Sequence, residues 1–106
     1  MLNTHQGALQ QYLRVPAAHV VPRPASLTPI QAAGLTIAGL TAHRALMKIA
    51  KLEHGQSIFI NGGTTAVGIY ATQLAKTLGC TITVAASAKK EPFVRSLGVD
   101  HVRHYV

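Results

Sequence analysis

From Thr28 onward, two patterns alternate along this chain: apolar residues spaced for one face of a helix, and short runs that are apolar without interruption. The first 27 residues show neither. Their apolar stretches are cut by Pro16, Pro22 and Pro24, and proline removes a ladder donor and holds its predecessor extended. At most one short strand, then an extended linker, is expected there. At Thr28 the pattern changes. A capping threonine, Pro29 at the first helical position and Gln31 three residues after the cap are a helix-start signature. A short helix should end near Gly34. A longer one should cover about 36–52, with Ile37, Leu40, Ala45, Leu46 and Ile49 as its apolar positions.

Residues 53–56 read as a turn and 57–61 (SIFIN) as a strand. The strand is fully apolar at its centre, the mark of a parallel strand buried on both faces. Val67, Tyr70, Ala71, Leu74, Ala75 and Leu78 then trace one helical face, closed by Gly79. The run CTITVAA (80–86) is the next strand. Residues 87–98 form a loop and a second helix closed by Gly98, and 100–106 begin a third strand. This order predicts an α/β fold: the βαβαβ half of a Rossmann-type parallel sheet with right-handed crossovers. The third strand, near Val102, is expected to remain an open edge where such a sheet continues.

Between the first strand and its helix lies FINGGTTAVG, residues 59–68. Gly63 to Gly68 follow the G-x-G-x-x-G spacing, with Thr65 in the second glycine's place. The fingerprint puts a pyrophosphate at a helix N-terminus, where free N–H groups and the helix dipole favour anions. Thr65 adds a Cβ there, and a hydroxyl able to donate to phosphate. From the residues alone, the stretch is either a dinucleotide cradle or a strand-to-helix turn of small residues without a ligand. About 20 residues on, an NAD site offers an acid to the ribose hydroxyls. Here the second strand ends in AASAKK, and no acid precedes Glu91. Ser87, Lys89 and Lys90 suit a 2′-phosphate, so NADPH is favoured over NADH; the bland alternative for the lysines is a solvated loop.

Composition adds a bias rather than a class. Ten Lys and Arg against three Asp and Glu give a formal charge of +7 in 106 residues, which favours an anionic partner. The cations are scattered and aromatics are few, so a phosphate-bearing small molecule is expected and nucleic acid is not. One cysteine, Cys80, excludes an internal disulfide framework and a thiolate zinc cluster. Of six histidines, His101 and His104 lie three apart, but no matching Cys, Asp or Glu cluster accompanies them, and no metal is expected. No apolar run is long enough to span a bilayer, and MLNTHQGALQ does not read as a secretory signal. A reducing, cytoplasmic setting is the default.

The stretches AAGLTIAGLTAHRAL, KLEHGQSIFINGGTTAVGIYATQLAKTLGCTITVAAS and VRSLGVDHV resemble the zinc-free quinone oxidoreductase (zeta-crystallin-like) branch of the medium-chain dehydrogenase/reductases. The match covers nearly the whole chain. It implies that residues 1–27 are the tail of a GroES-like catalytic domain with its linker, and 28–106 the first half of the dinucleotide-binding domain. It also implies an NADPH-dependent oxidoreductase that passes hydride to a quinone or an activated alkene (enone). Gly63, Thr64, Thr65, Ala66, Val67 and Gly68 match that family's pyrophosphate loop. Ser87, Lys90 and Tyr105 match positions beside the 2′-phosphate. Thr41 and His43 fall in a motif close to the nicotinamide, where the family often has Tyr in place of His43. Most of the GroES-like domain and the later strands of the nucleotide domain are missing from the match, so these residues resemble the middle of a longer protein. Alone they are expected to be inactive and to self-associate as a homo-oligomer. The alternative is a non-catalytic module that binds a nucleotide, RNA or a partner chain.

Overall fold

The uninterrupted apolar runs become parallel strands. In the computed structural model, which describes residues 7–105, β1 (Ser57–Asn61), β2 (Thr81–Ala86) and β3 (His101–His104) form one sheet in the order β1-β2-β3. Both pairings are parallel: Ser57 lies opposite Thr81 and Asn61 opposite Ala85, while Thr83 lies opposite His101 and Ala86 opposite His104. Parallel neighbours need a crossover to return the chain to the starting edge. Before β1 come α1 (Pro29–Ala33) and α2 (Thr36–His43); α3 (Ala66–Thr77) then joins β1 to β2, and α4 (Glu91–Ser96) joins β2 to β3. Gly79, at φ +71°, turns the chain out of α3 in the left-handed conformation expected at a helix end. No helix of the described residues is long and apolar enough to cross a membrane.

The core lies where the crossover helices meet the middle strand. Ile82, Val84 and Ala86 of β2 are fully buried, with Ile60 of β1, Ala71 and Ala75 of α3, Val94 of α4 and Val99 around them. The small residues let α3 approach the sheet closely. The start of β3 is fixed by Asp100. Its N–H donates to the Ile82 carbonyl (3.0 Å), its Oδ2 accepts from the Ile82 N–H (2.7 Å), and its Oδ1 lies 3.5 Å from Lys76 Nζ.

Residues 7–27 contain a single 3-10 turn, Ala17–His19, and no strand. The start of α1 follows the expected capping box: Thr28 Oγ1 accepts from the Gln31 N–H (3.3 Å), and Gln31 Oε1 accepts from the Thr28 N–H (2.9 Å).

Three expectations are corrected. The long helix is α-helical only to His43; Arg44–Ile49 is π-helical, with the Ala50 N–H reaching the Ala45 carbonyl at 2.9 Å. Its inner face is Ala38, Ala42 and Leu46, whereas Ile37 (85% exposed) and Leu40 (63%) point outward. The reason is close helix packing: α2 lies on α3, and Tyr70 of α3 lies beside Gly34 and Gly39, its hydroxyl donating to the Gly34 carbonyl at 3.2 Å. Second, β1 is not buried on both faces. Ile58 and Ile60 join the core on the face that α3 covers, but Phe59 between them points to the opposite face and is 60% exposed. Third, β3 is an edge as expected, yet in the doubly wound order the next strand adds beside β1. The edge at which such a sheet continues is therefore β1.

Candidate functional site

Parallel strands deliver their carboxyl ends to one edge of the sheet. Three segments leave there: the turn after Asn61, residues 87–90 after Ala86, and Tyr105 after His104. The turn stays joined to β2, since the Gly63 N–H donates to the Ala85 carbonyl at 3.1 Å. Ser87 and Tyr105 each follow one member of the register pair Ala86–His104, so they leave neighbouring strands at the same level.

The glycines of the turn have separate tasks. Gly62 takes φ +81°, a left-handed turn that L side chains rarely adopt. Gly63 faces β2, and a Cβ added there would stand 1.9 Å from Val84 Cγ1. Gly68 lies against the turn itself: its Cβ would stand 2.3 Å from the Gly62 carbonyl oxygen and 3.0 Å from Gly63 Cα. Thr65 is the N-cap of α3. Its hydroxyl accepts from the Gly68 N–H (3.1 Å) and donates to the Gly62 carbonyl (2.8 Å). The proton expected to serve a phosphate is thus engaged within the turn. The N–H groups of Ala66 and Val67, first in the helix, have no carbonyl four residues back inside it. They open the helix toward the edge where the strands end.

Beside this turn the charge is positive. Ser87 precedes the 3-10 turn Ala88–Lys90 and makes no capping hydrogen bond with its side chain. Lys89 and Lys90 are exposed, and so is Tyr105. The acid that follows them, Glu91, is occupied: Oε1 lies 2.6 Å from Arg95 Nε and Oε2 lies 2.6 Å from His104 Nε2. The Arg95 hydrogen bond, then that of His104, hold the Glu91 carboxyl below the usual carboxylate range. The donor set fits a phosphorylated ligand: helix N–H groups, the Ser87 hydroxyl, which makes no cap hydrogen bond, and two exposed ammonium groups with no ion-pair partner among the described residues.

Thr41 and His43 stand elsewhere, on α2. The Thr41 hydroxyl donates to the Ile37 carbonyl at 2.6 Å. His43 lines an apolar groove of about 480 Å³ between the linker residues Val21–Pro24, α2, and Tyr70 and Leu74 of α3. None of the residues 62–68 or 87–90 lines that groove. Sequence reasoning missed Gly62, Val84, Glu91 and His104. The Gly62-Gly63 doublet was a visible signal for the first. The Glu91–His104 pair spans 13 residues and needs the strand register to be seen.

No protein-family model matches the chain. A trans-enoyl reductase of Aspergillus terreus is 34% identical over 99 residues, which are 93% of this chain and 28% of that protein. A chloroplastic quinone-oxidoreductase homolog of Spinacia oleracea is 35% identical over 104 residues, again covering 93% of this chain and 32% of the relative. The chain's homologues are enoyl reductases and quinone oxidoreductases of the medium-chain dehydrogenase/reductase type. The structure agrees. The quinone oxidoreductase of Thermus thermophilus, solved also with NADPH, superposes with a TM-score of 0.84 at 30% identity, over 94% of this chain and 34% of that one. The three-stranded parallel sheet described above thus matches the Rossmann-like domain of quinone oxidoreductases. The chain spans about 28% of the length of the first of these relatives.

Proposed function

We propose that residues 28–106 are the first half of the NADPH-binding domain of a reductase acting on quinones or activated alkenes (enones), with 1–27 the tail of a GroES-like catalytic domain and its linker. The observation that carries it is the character of the strand-end cluster. A capped helix N-terminus stands beside Ser87, Lys89 and Lys90, and the next acid is already paired. The Ala66 and Val67 N–H groups would hold the pyrophosphate. Ser87, Lys90 and Tyr105 would hold the 2′-phosphate, while Gly63, Thr64, Thr65 and Gly68 shape the turn. When bound, the dinucleotide supplies the hydride; this chain's residues bind and orient it. Thr41 and His43 are proposed for the nicotinamide side on the resemblance alone. A homo-oligomer in a reducing, cytoplasmic setting completes the reading. The setting rests on the single, buried thiol of Cys80; the spinach relative is chloroplastic by name.

A charge-assisted contact to phosphate contributes about 1.5–3 kcal/mol, or roughly one to two decades in affinity. Lys90→Glu should therefore weaken NADPH binding by about tenfold or more while changing NADH binding little. Titrations of both cofactors by nicotinamide fluorescence measure this. Equal loss for the two would contradict a 2′-phosphate contact at Lys90.

A further inference from the structure

Resting on that NADPH reading, we propose that Glu91 and His104 clasp the two sides of the 2′-phosphate site together, which makes Glu91 a positioning residue for choosing NADPH over NADH. One side of the site is the segment Ser87–Lys90, which leaves β2 and runs into α4; the other is Tyr105, at the end of β3. Glu91 follows Lys90 directly, and His104 precedes Tyr105 directly. The 2.6 Å bond from Glu91 Oε2 to His104 Nε2 therefore joins the immediate neighbours of both phosphate-side residues. On its other oxygen Glu91 holds Arg95, one turn along α4. One carboxylate thus fixes the start of α4, and with it the loop carrying Lys90, against the end of β3. The strand register already sets the backbones of Ser87 and Tyr105 side by side. The clasp adds the third wall.

An acid beside a phosphate site has a second possible effect, plain repulsion, and the two effects have opposite signs. If Glu91 acts by repulsion, removing it strengthens binding of a 2′-phosphate. If it acts as the clasp, removing it loosens Lys90 and Tyr105 and weakens that binding, with little change for a nucleotide lacking the phosphate.

Calorimetric titration of the full chain with 2′,5′-ADP and with 5′-AMP reads both. The unmodified chain should prefer 2′,5′-ADP. Glu91→Ala and His104→Ala should each reduce that preference by about fivefold, the scale of one lost hydrogen bond. His104→Gln, which keeps a side-chain donor, should retain most of it. A rise in 2′,5′-ADP affinity for Glu91→Ala overturns the clasp, as does an unchanged preference in both alanine variants. Equal weakening of both nucleotides marks a merely structural bond and also overturns it. No preference in the unmodified chain overturns the NADPH reading itself, and the clasp with it.

Discussion

Gly63 is held to glycine by the strand behind it rather than by a ligand. Its missing Cβ would overlap Val84 Cγ1 at 1.9 Å, a side-chain obstacle, whereas at Gly68 the obstacle is the backbone of the turn. Overpacking of this kind costs about 1–3 kcal/mol. Gly63→Ala should destabilise the chain by that amount. Because the obstacle is one methyl group, Gly63→Ala with Val84→Ala should cost less than the sum of the two single changes by about 1 kcal/mol or more. Urea denaturation of the four proteins measures the coupling, and strict additivity would contradict the contact. At this scale the sequence was legible where chemistry is local. The Thr28–Gln31 capping box formed as read, since both partners lie within one turn. The role of Thr65 was not legible. A hydroxyl beside a phosphate turn suggests a ligand contact, and only the folded turn shows that the Gly62 carbonyl and the Gly68 N–H occupy it.

The elements were legible in order and strand-or-helix type because unbroken apolar runs and a 3.6-residue period differ plainly, but their facing was not. In α2 the large apolar residues suggested the buried side, yet close packing against α3 selected Ala38 and Ala42. Two carboxylates tie elements of the sheet side together. Glu91 links α4 to β3, and Asp100 links the start of β3 to Ile82 of β2 and to Lys76 of α3. Both are held below their ordinary range, Glu91 chiefly by Arg95 and Asp100 chiefly by the Ile82 N–H. A carboxylate with a lowered pKa stabilises the fold above its unfolded value, and that contribution disappears as the pH falls through the folded value. Acidification from about pH 4.5 downward should therefore release β3 and α4 first. Amide exchange at low pH follows this. Protection in 91–104 should decline while the centre of α3 stays protected. Parallel loss across both would contradict it.

For the whole molecule, the outward residues matter most. Ile37, Leu40 and Phe59 leave apolar surface uncovered, and β1 presents an unpaired edge. Unpaired edges template pairing with another chain, and a short chain has little surplus stability. Sedimentation at micromolar concentration should show species larger than a monomer, and NADPH oxidation with a quinone should run near background, because a three-stranded unit offers one side of the ligand crevice. A single monomeric species with ordinary turnover would contradict both statements. The central claim, that the strand ends form a site for a 2′-phosphorylated dinucleotide, is tested most directly by mapping amide NMR shifts on addition of NADPH. The account predicts that the shifted amides are those of Gly62–Val67, Ser87–Glu91 and Tyr105, and that NADH reproduces the first set but only weakly the second. Shifts confined to the groove around His43 and Tyr70, with these segments silent, would contradict it.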